Sequence, residues 1–420
     1  MISSKTSLRV IFAAQTVGIL EQTESDQIVF TYSNEWLNSK HSWPISQSIP
    51  LQKGTITSEQ VHRFFSNLLP EGRIRYLVCK QLGISENNDF ELLKAIGGEC
   101  AGALSIVPDD NYTPELPGNY IEISSEEIEK IIHRGLIYPV FAHKDRIRLS
   151  LAGAQDKLPV RIKENQVYLP TGNAASSHIL KFPNRDFKHL PENEVLITLI
   201  AKQMKLPAVT ATLFKINDLN TCLVERFDRW NDTTGNYHRI HQEDLCQALG
   251  FSSQRKYEAE GGPSFQTCFK LIDQITANPI TDTDTLLRWL IFNLFCGNAD
   301  AHAKNISLLY RNQGVASLAP LYDLVCTAVY PGIDTRLAMS VGGCFDYGQI
   351  TIEYWKKLSD EIGIRYSYLR ETVKEIAEIL SEKVDAAITE FTSQYTAYPV
   401  IDMIKIIIIK RIRLVMYHLK

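Results

Sequence analysis

The residues with the most chemistry to offer lie in one stretch, FNLFCGNADAHAKNISLLY. There an apolar, helix-like run ends at Gly297, and a polar loop carries Asp300, His302, Lys304 and Asn305 before apolar chain resumes at Ile306. A loop held between buried elements fixes a carboxylate and an amide with little play, which suits a centre that must hold a hydroxyl and a metal ion together. Eighteen residues after Asn305 a second acid, Asp323, stands in APLYDLVC at the expected end of a strand. Two acids and an amide so arranged are the oxygen set of phosphoryl transfer. One acid orients the attacking hydroxyl, while the amide and the second acid hold Mg²⁺ against the phosphates. The step from Asp300 to Asn305 is that of a D-x-x-x-x-N catalytic loop. The bland alternative is a turn in which both side chains only satisfy backbone donors.

Four further motifs change those odds. In RLSLAGAQDKLPV a Gly flanked by small residues lies between strand-like runs, so backbone N–H groups can approach phosphate oxygens; it is no Walker motif, and an ordinary hairpin turn competes. SHILKFP puts Lys181 on a short apolar strand, as for a cation aimed at phosphates, against a snorkelling edge lysine. PENEVLITLIAKQM opens a helix with Glu192 and Glu194, either of which could orient that lysine, although acids favour any helix start. LVERFDRW ends a strand where the helical half begins, the place of a hinge that would bind adenine through backbone groups of Glu225, Arg226 and Phe227. Its alternative is a surface ion-pair network of Glu225, Arg226, Asp228 and Arg229. The serial order of loop, lysine, helix acid, hinge, Asp/Asn loop and second Asp is that of a kinase active site.

The elements that would position these residues fall into three expected units: an α+β subdomain over residues 1–111, a mixed sheet with the phosphate loop over 112–226, and a helical lobe over 227–420. Strand-like QIVFTY and GALSIV enclose a helical stretch around SEQVHRFFSNLLPEGRIRYLVCKQLG, and NYTPELPGNY reads as a connector. Short strands then follow in RIRLSL, KLPVRI, QVYLP and SHILKF, and TATLF and TCLVERF come after a helix from Glu192. Beyond Arg226 the periodicity is mainly helical, including HQEDLCQALG and the tail IDMIKIIIIKRIRLVM. Lys405, Lys410, Arg411 and Arg413 break that tail too often for a bilayer span, so it reads as a buried helix with snorkelling cations. The 44 basic residues against 48 acidic ones leave a net charge of -4, so the chain lacks the basic field of a non-specific nucleic-acid binder. Eight scattered cysteines with no C-x-x-C pair point away from zinc and towards a reducing, cytoplasmic setting.

Over most of its length the chain resembles the HipA-type serine/threonine kinases, toxins of bacterial toxin-antitoxin modules. FSNLLPEG, GGECAGALSIVP, SLAGAQDKLPV, HILKFP, NEVLITLIAKQMKLP, LVERFDRW, HQEDLCQALG, GGPSF, GNADAHAKN and PLYDLV carry the resemblance. It implies a bilobal protein-kinase-like fold of the α+β class, akin to phosphatidylinositol-kinase-like enzymes, whose D-x-H-x-x-N loop Asp300, His302 and Asn305 also fit. It further implies Asp300 as the catalytic acid, Asn305 and Asp323 on Mg²⁺, and Lys181 on the phosphates. ATP would be covered by the turn Ala152, Gly153, Ala154, Gln155, Asp156 and Lys157. Glu225, Arg226 and Phe227 would line the adenine site, which His302, Lys304, Asn305 and Tyr322 complete. An inhibitory autophosphorylation would fall on Ser150.

The same resemblance implies a helix-turn-helix antitoxin partner that supplies most of the DNA contact, and a protein substrate in the class of aminoacyl-tRNA synthetases. Two departures from the eukaryotic pattern stand out: Asp323 sits in Y-D-L rather than D-F-G, and Asn298 and Ala299 precede Asp300 in place of H-R. The competing readings are a small-molecule or lipid kinase on the same fold, or a catalytically silent co-repressor that only binds a DNA-binding partner. A lipid substrate is disfavoured by the lack of a basic membrane-binding cluster.

Overall fold

In the first strand, Ser7–Phe12, Leu8 and Val10 are buried and Ser7 and Arg9 less so, the period of a strand with one face on a core. A computed structural model gives the fold and describes residues 6–109, 118–134, 153, 155–311 and 314–420. Five antiparallel strands stand in the order Thr55–Ile56, Ile28–Tyr32, Gln15–Gln22, Ser7–Phe12 and Leu104–Pro108. The long helical run after Ser58 breaks at Pro70 into the helices Glu59–Ser66 and Gly72–Leu82, because proline lacks the N–H the helix would need there. Phe30, Phe64, Phe65 and Phe90 fill the core of this unit.

A second sheet has six antiparallel strands, ordered Ala211–Ile216, Leu219–Glu225, His178–Lys181, Lys157–Lys163, Gln166–Thr171 and Asn119–Ile123. The connector ends sooner than expected: the last residues of NYTPELPGNY open the strand Asn119–Ile123, which pairs with Gln166–Thr171. RIRLSL and the boundary at 111 and 112 lie outside the described residues. The helix Leu190–Gln203 begins with a proline in its first turn and buries Glu192, Asn193 and Glu194 together, an unusual density of polar groups for a helix interior surface.

The last third is not wholly helical. HQEDLCQALG, read as one helix, is the strand His241–Asp244 followed by the short helix Leu245–Leu249, with Asp244 as capping residue. That strand pairs with Ser307–Arg311, a contact too distant in sequence for helical periodicity to reveal, and Ser307–Arg311 pairs in turn with the nearby Val315–Leu318. A further hairpin joins Arg229–Asn231 to Tyr237–Arg239. The helices Phe265–Ile275, Pro279–Cys296, Ile352–Ile362, Tyr366–Gln394 and Pro399–His418 surround the largest apolar cluster. The tail helix buries one face only, with Val400, Ile404, Ile408 and Val415, and leaves Met403, Ile406 and Tyr417 exposed; Arg411 lies on the buried face and does not snorkel. Its guanidinium donates to the Leu294 carbonyl at 2.9 Å and lies 3.6 Å from the centre of the Tyr347 ring. Lys405 reaches Asp385 at 2.6 Å.

The helix Pro279–Cys296 ends at Gly297, whose φ of +75° is the left-handed cap that glycine adopts without strain. A Cβ there would stand 3.0 Å from both Ala328 and Ile407. Helix end and neighbouring helices together therefore fix where the polar loop that follows begins.

Candidate active site

A cavity of about 730 Å³ opens between the six-stranded sheet and the helical part, and the first unit contributes Asn67, Leu68, Glu71 and Ala101 to its wall. All described residues expected in the site line it, with the exception of Asp156, whose carbonyl instead accepts the Phe182 N–H at 2.9 Å. Ser150, Ala152 and Ala154 lie outside the described residues.

Lys157 and Lys181 stand directly opposite each other on adjacent antiparallel strands. Like charges in that register repel, so the pair is stable only if anions sit beside it. Lys181 has two: its Nζ meets Glu194 Oε1 at 2.5 Å and also Asp323 Oδ1. Burial alone would strip its proton, yet the two carboxylates outweigh burial and hold the ammonium well above its usual range. The helix acid that orients Lys181 is thus Glu194. Glu192 instead accepts from Asn220 at 2.7 Å.

Lys157 has no hydrogen-bond or ion-pair partner among the described residues. Burial lowers its ammonium to about 8, reinforced by Lys181 and partly offset by Asp323. At Gly153 φ is +110°, a backbone geometry that favours glycine, whereas a Cβ there would meet only the Lys157 Nζ, at 2.9 Å, which a flexible side chain can withdraw.

Asp323 follows Tyr322 in irregular chain, not at the end of a strand, and its φ of +52° is rare outside glycine. Burial would raise its carboxyl, but Lys181 and Lys157 bring it down to about 2, so it is a carboxylate at neutral pH. Its Oδ2 accepts no hydrogen bond among the described residues.

In the loop, every group of Asp300 but one is held. Its N–H donates to Asn298 Oδ1 at 3.1 Å, its carbonyl accepts from Asn305 Nδ2 at 2.9 Å, and its Oδ1 accepts from the Tyr257 hydroxyl at 2.6 Å. The bond from Asn305 turns that amide so that its Oδ1 accepts no hydrogen bond among the described residues. His302 Nε2 lies 3.7 Å from Asp300 Oδ1. Burial pushes the imidazole down to about 4, so it is neutral at neutral pH and does not cancel the charge of Asp300. Lys304 points the other way, to Asn67 Oδ1, Asp244 at 3.2 Å and Glu71 at 3.5 Å, and ties the loop to the first unit. The Tyr322 hydroxyl donates to the Lys304 carbonyl at 2.7 Å, and its ring lies 5.4 Å from that of Phe227.

The charged residues of ERFDRW form no surface network. Arg226, Asp228 and Arg229 are buried: both arginines pair with Asp228 and also with Glu99 of the first unit, which receives Arg239 as well. The side chain of Arg226 is engaged there, so what it presents to the cavity is main chain. The amides of Glu225 and Arg226 already donate to Thr210 and Ser177 carbonyls, at 2.9 and 3.0 Å. Sequence reasoning missed Asn67, Glu71, Glu99 and Tyr257. Asn67 and Glu71 lie within FSNLLPEG and Glu99 within GGECAGALSIVP, stretches noted without a role for these side chains, while Tyr257 lies just ahead of GGPSF.

The arrangement suits a nucleotide and a divalent cation. Asn305 Oδ1 and Asp323 Oδ2 are hard oxygen donors on neighbouring segments, and Mg²⁺ is commonly bound through one or two such groups, with phosphate and water oxygens completing the shell. No cluster of three or more His, Cys, Asp or Glu suited to a metal occurs among the described residues. No described helix is long and apolar enough to cross a membrane.

Comparison with known proteins follows the same outline. Residues 8–107 match the family model described as HipA N-terminal domain, and residues 149–388 the HipA-like C-terminal domain. The chain is 37% identical over 390 residues to the protein Y4mE of Sinorhizobium fredii, covering 92% of each. It is 33% identical over 373 residues to the serine/threonine-protein kinase toxin HipA of Shewanella oneidensis, covering 86% of this chain and 84% of the relative. A solved complex of Shewanella oneidensis HipA with HipB and operator DNA superposes with a TM-score of 0.84 at 30% identity, covering 98% of this chain and 97% of the other.

Proposed function

Because the chain belongs to the HipA family of kinase toxins, we propose that it is an ATP- and Mg²⁺-dependent serine/threonine protein kinase, the toxin half of a toxin-antitoxin pair. The observation that carries this reading is the convergence, in one cavity, of the Lys181–Glu194 ion pair, Asp323, Asn305 and Asp300.

Lys181, kept protonated by its two carboxylates, and Lys157, with no carboxylate of its own, bind the phosphates of ATP. The main chain near Phe227 and the rings of Phe227 and Tyr322 receive the base. Asn305 Oδ1 and Asp323 would hold Mg²⁺, which supplies charge neutralisation for the phosphate oxygens. Asp300 accepts the proton of a serine or threonine hydroxyl as that oxygen attacks the γ-phosphorus. Lys304 keeps the loop in register and lies outside the transfer itself.

An aminoacyl-tRNA synthetase is the acceptor class that the family suggests, and Ser150 the site of a self-limiting phosphate, whose charge of about -1.5 to -2 would disfavour packing of the glycine turn on ATP. A helix-turn-helix antitoxin is the partner expected from the solved relative. With its net charge of -4, this chain would meet DNA mainly through that partner.

Intact-mass analysis of the wild type and Asp300→Ala after incubation with Mg²⁺ and ATP tests the reading. Phosphate on the wild type alone supports it. Equal phosphorylation of Asp300→Ala overturns the role of Asp300.

A further inference from the structure

Tyr257 lies between the helices Leu245–Leu249 and Phe265–Ile275, in a segment bracketed by the 3-10 turns Ser253–Arg255 and Glu258–Glu260. Both its neighbours in sequence are anchored. Lys256 pairs with Glu71 at 3.1 Å, while the Glu258 carboxylate accepts from the Ser340 N–H at 2.6 Å and hydroxyl at 2.8 Å. The Glu258 N–H donates to Ala338 at 3.0 Å. Edge-on contact with His302, at 5.5 Å between ring centres, limits how the phenol swings. The hydroxyl is therefore presented to Asp300 from a fixed backbone.

A free carboxylate has two equivalent oxygens and a broad, two-fold χ2 preference, so an aspartate on a loop presents either oxygen to an incoming hydroxyl. Here the equivalence is broken. Oδ1 accepts from Tyr257 at 2.6 Å and has His302 Nε2 at 3.7 Å, whereas Oδ2 has no hydrogen-bond partner among the described residues. The Asp300 side chain is about half exposed, at 49%, so Oδ2 is open to a ligand.

We propose that Tyr257 is a positioning residue for phosphoryl transfer, holding Oδ1 of Asp300 so that Oδ2 alone receives the acceptor hydroxyl. The inference rests on the kinase reading and assigns that site its acceptor-side geometry. In the step, the acceptor oxygen bonds to the γ-phosphorus as the bond from that phosphorus to the bridging oxygen of ATP breaks. ADP leaves, and the acceptor's proton passes to Oδ2. Tyr257 keeps its own proton throughout, since burial and then the Asp300 carboxylate push its hydroxyl well above the usual phenol range.

The test uses full-length wild type, Tyr257→Phe, Asp300→Asn and the double variant. Self-phosphorylation with Mg²⁺ and [γ-³²P]ATP is followed as a function of ATP concentration, alongside thermal unfolding and binding of a fluorescent ATP analogue. Loss of one hydrogen bond to a charged group should lower the maximal rate of Tyr257→Phe roughly 10- to 100-fold. Half-saturating ATP, analogue affinity and the unfolding midpoint should stay unchanged. In the Asp300→Asn background, Tyr257→Phe should produce no further loss, which a general structural role would not predict. A Tyr257→Phe rate equal to wild type overturns the inference and leaves the kinase reading standing. A faster rate also overturns it, making Tyr257 a plug that mimics the acceptor. A wild type that binds no nucleotide and transfers no phosphate overturns both readings.

Discussion

Around Glu99 two carboxylates meet three guanidinium groups, and around Lys181 two carboxylates meet two ammonium groups, yet the two clusters are finished differently. Glu99 Oε1 receives Arg229 at 2.8 Å together with the N–H and hydroxyl of Ser176, and its Oε2 receives Arg239. Asp228 receives Arg226 at 2.9 and 2.6 Å and the Gly102 N–H at 2.7 Å. Of the guanidinium nitrogens there, only Nε of Arg229 and of Arg239 have no partner among the described residues. In the cleft, by contrast, Lys181 takes both acids, while Lys157 Nζ and Asp323 Oδ2 have no partner among the described residues. A cluster whose acids are all engaged and whose two spare donors are buried has nothing open to a ligand and works as a fastener between units. An unsaturated one keeps donors and acceptors in reserve at some cost in stability, as expected where a ligand is to bind.

The sharpest way to separate the two is Glu99→Ala. It would leave Arg226, Arg229 and Arg239 buried with one acid fewer, and breaking a buried network in this way costs about 3–5 kcal/mol. Urea unfolding of full-length wild type and variant, each fitted for midpoint and slope, measures this. A loss below about 1 kcal/mol would mean that the arginines find water, and that the network is no fastener.

Lys157→Met should act with the opposite sign on stability and a smaller effect overall. It removes a cation that opposes Lys181 across the strand pair and has no carboxylate of its own, so the unfolding midpoint should rise. Affinity for ATP should fall roughly tenfold, the scale of one charge-assisted contact. Titration calorimetry and thermal unfolding on the same samples check both signs. A variant that loses stability would show Lys157 to be a structural lysine.

The difference between the clusters also explains what could be read beforehand. Asp300 and Asn305 were legible because both must sit on one short loop behind a left-handed glycine, and Lys181 because a strand places it in a run of apolar neighbours. Those constraints are local. Glu99 stands 127 residues from Arg226, so ERFDRW looked like a set of surface pairs until the fold supplied the missing acid. Tyr257 stands 43 residues from Asp300 and is joined to it only by tertiary packing. HQEDLCQALG misled for a related reason: Leu245, Cys246 and Leu249 obey a helical period, while the strand ahead of them owes its form to Ser307–Arg311. The choice between Glu192 and Glu194 turned on which helix face meets the sheet, and sequence spacing does not fix that.

A third buried acid refines the contrast, because Glu243 has neither a cation nor an open side. It lies on the strand His241–Asp244 and joins the first unit to the helical part, accepting from the Gln47 N–H at 3.0 Å, from the Ser46 hydroxyl at 2.5 Å and from the Tyr310 hydroxyl. Burial raises its carboxyl to about 7, more than those three bonds lower it. The folded state therefore holds a proton that the unfolded chain releases near its ordinary value of about 4.3. The stability so contributed is fully present below that value and is lost as pH rises through 7. Glu99 has the opposite behaviour: burial acts to raise it, the arginines outweigh that, and its carboxyl stays far below the usual range, with no titration near neutrality. Glu243→Gln should thus gain on the wild type as pH rises from 5.5 to 8.5, by roughly 2 kcal/mol or about 2 °C. Glu99→Gln should differ from the wild type by a constant amount over the same range. Thermal unfolding of the three proteins across that window decides the matter. A flat difference for Glu243→Gln would mean that its hydrogen bonds alone keep the carboxylate ionised, and that burial without a cation costs this seam nothing.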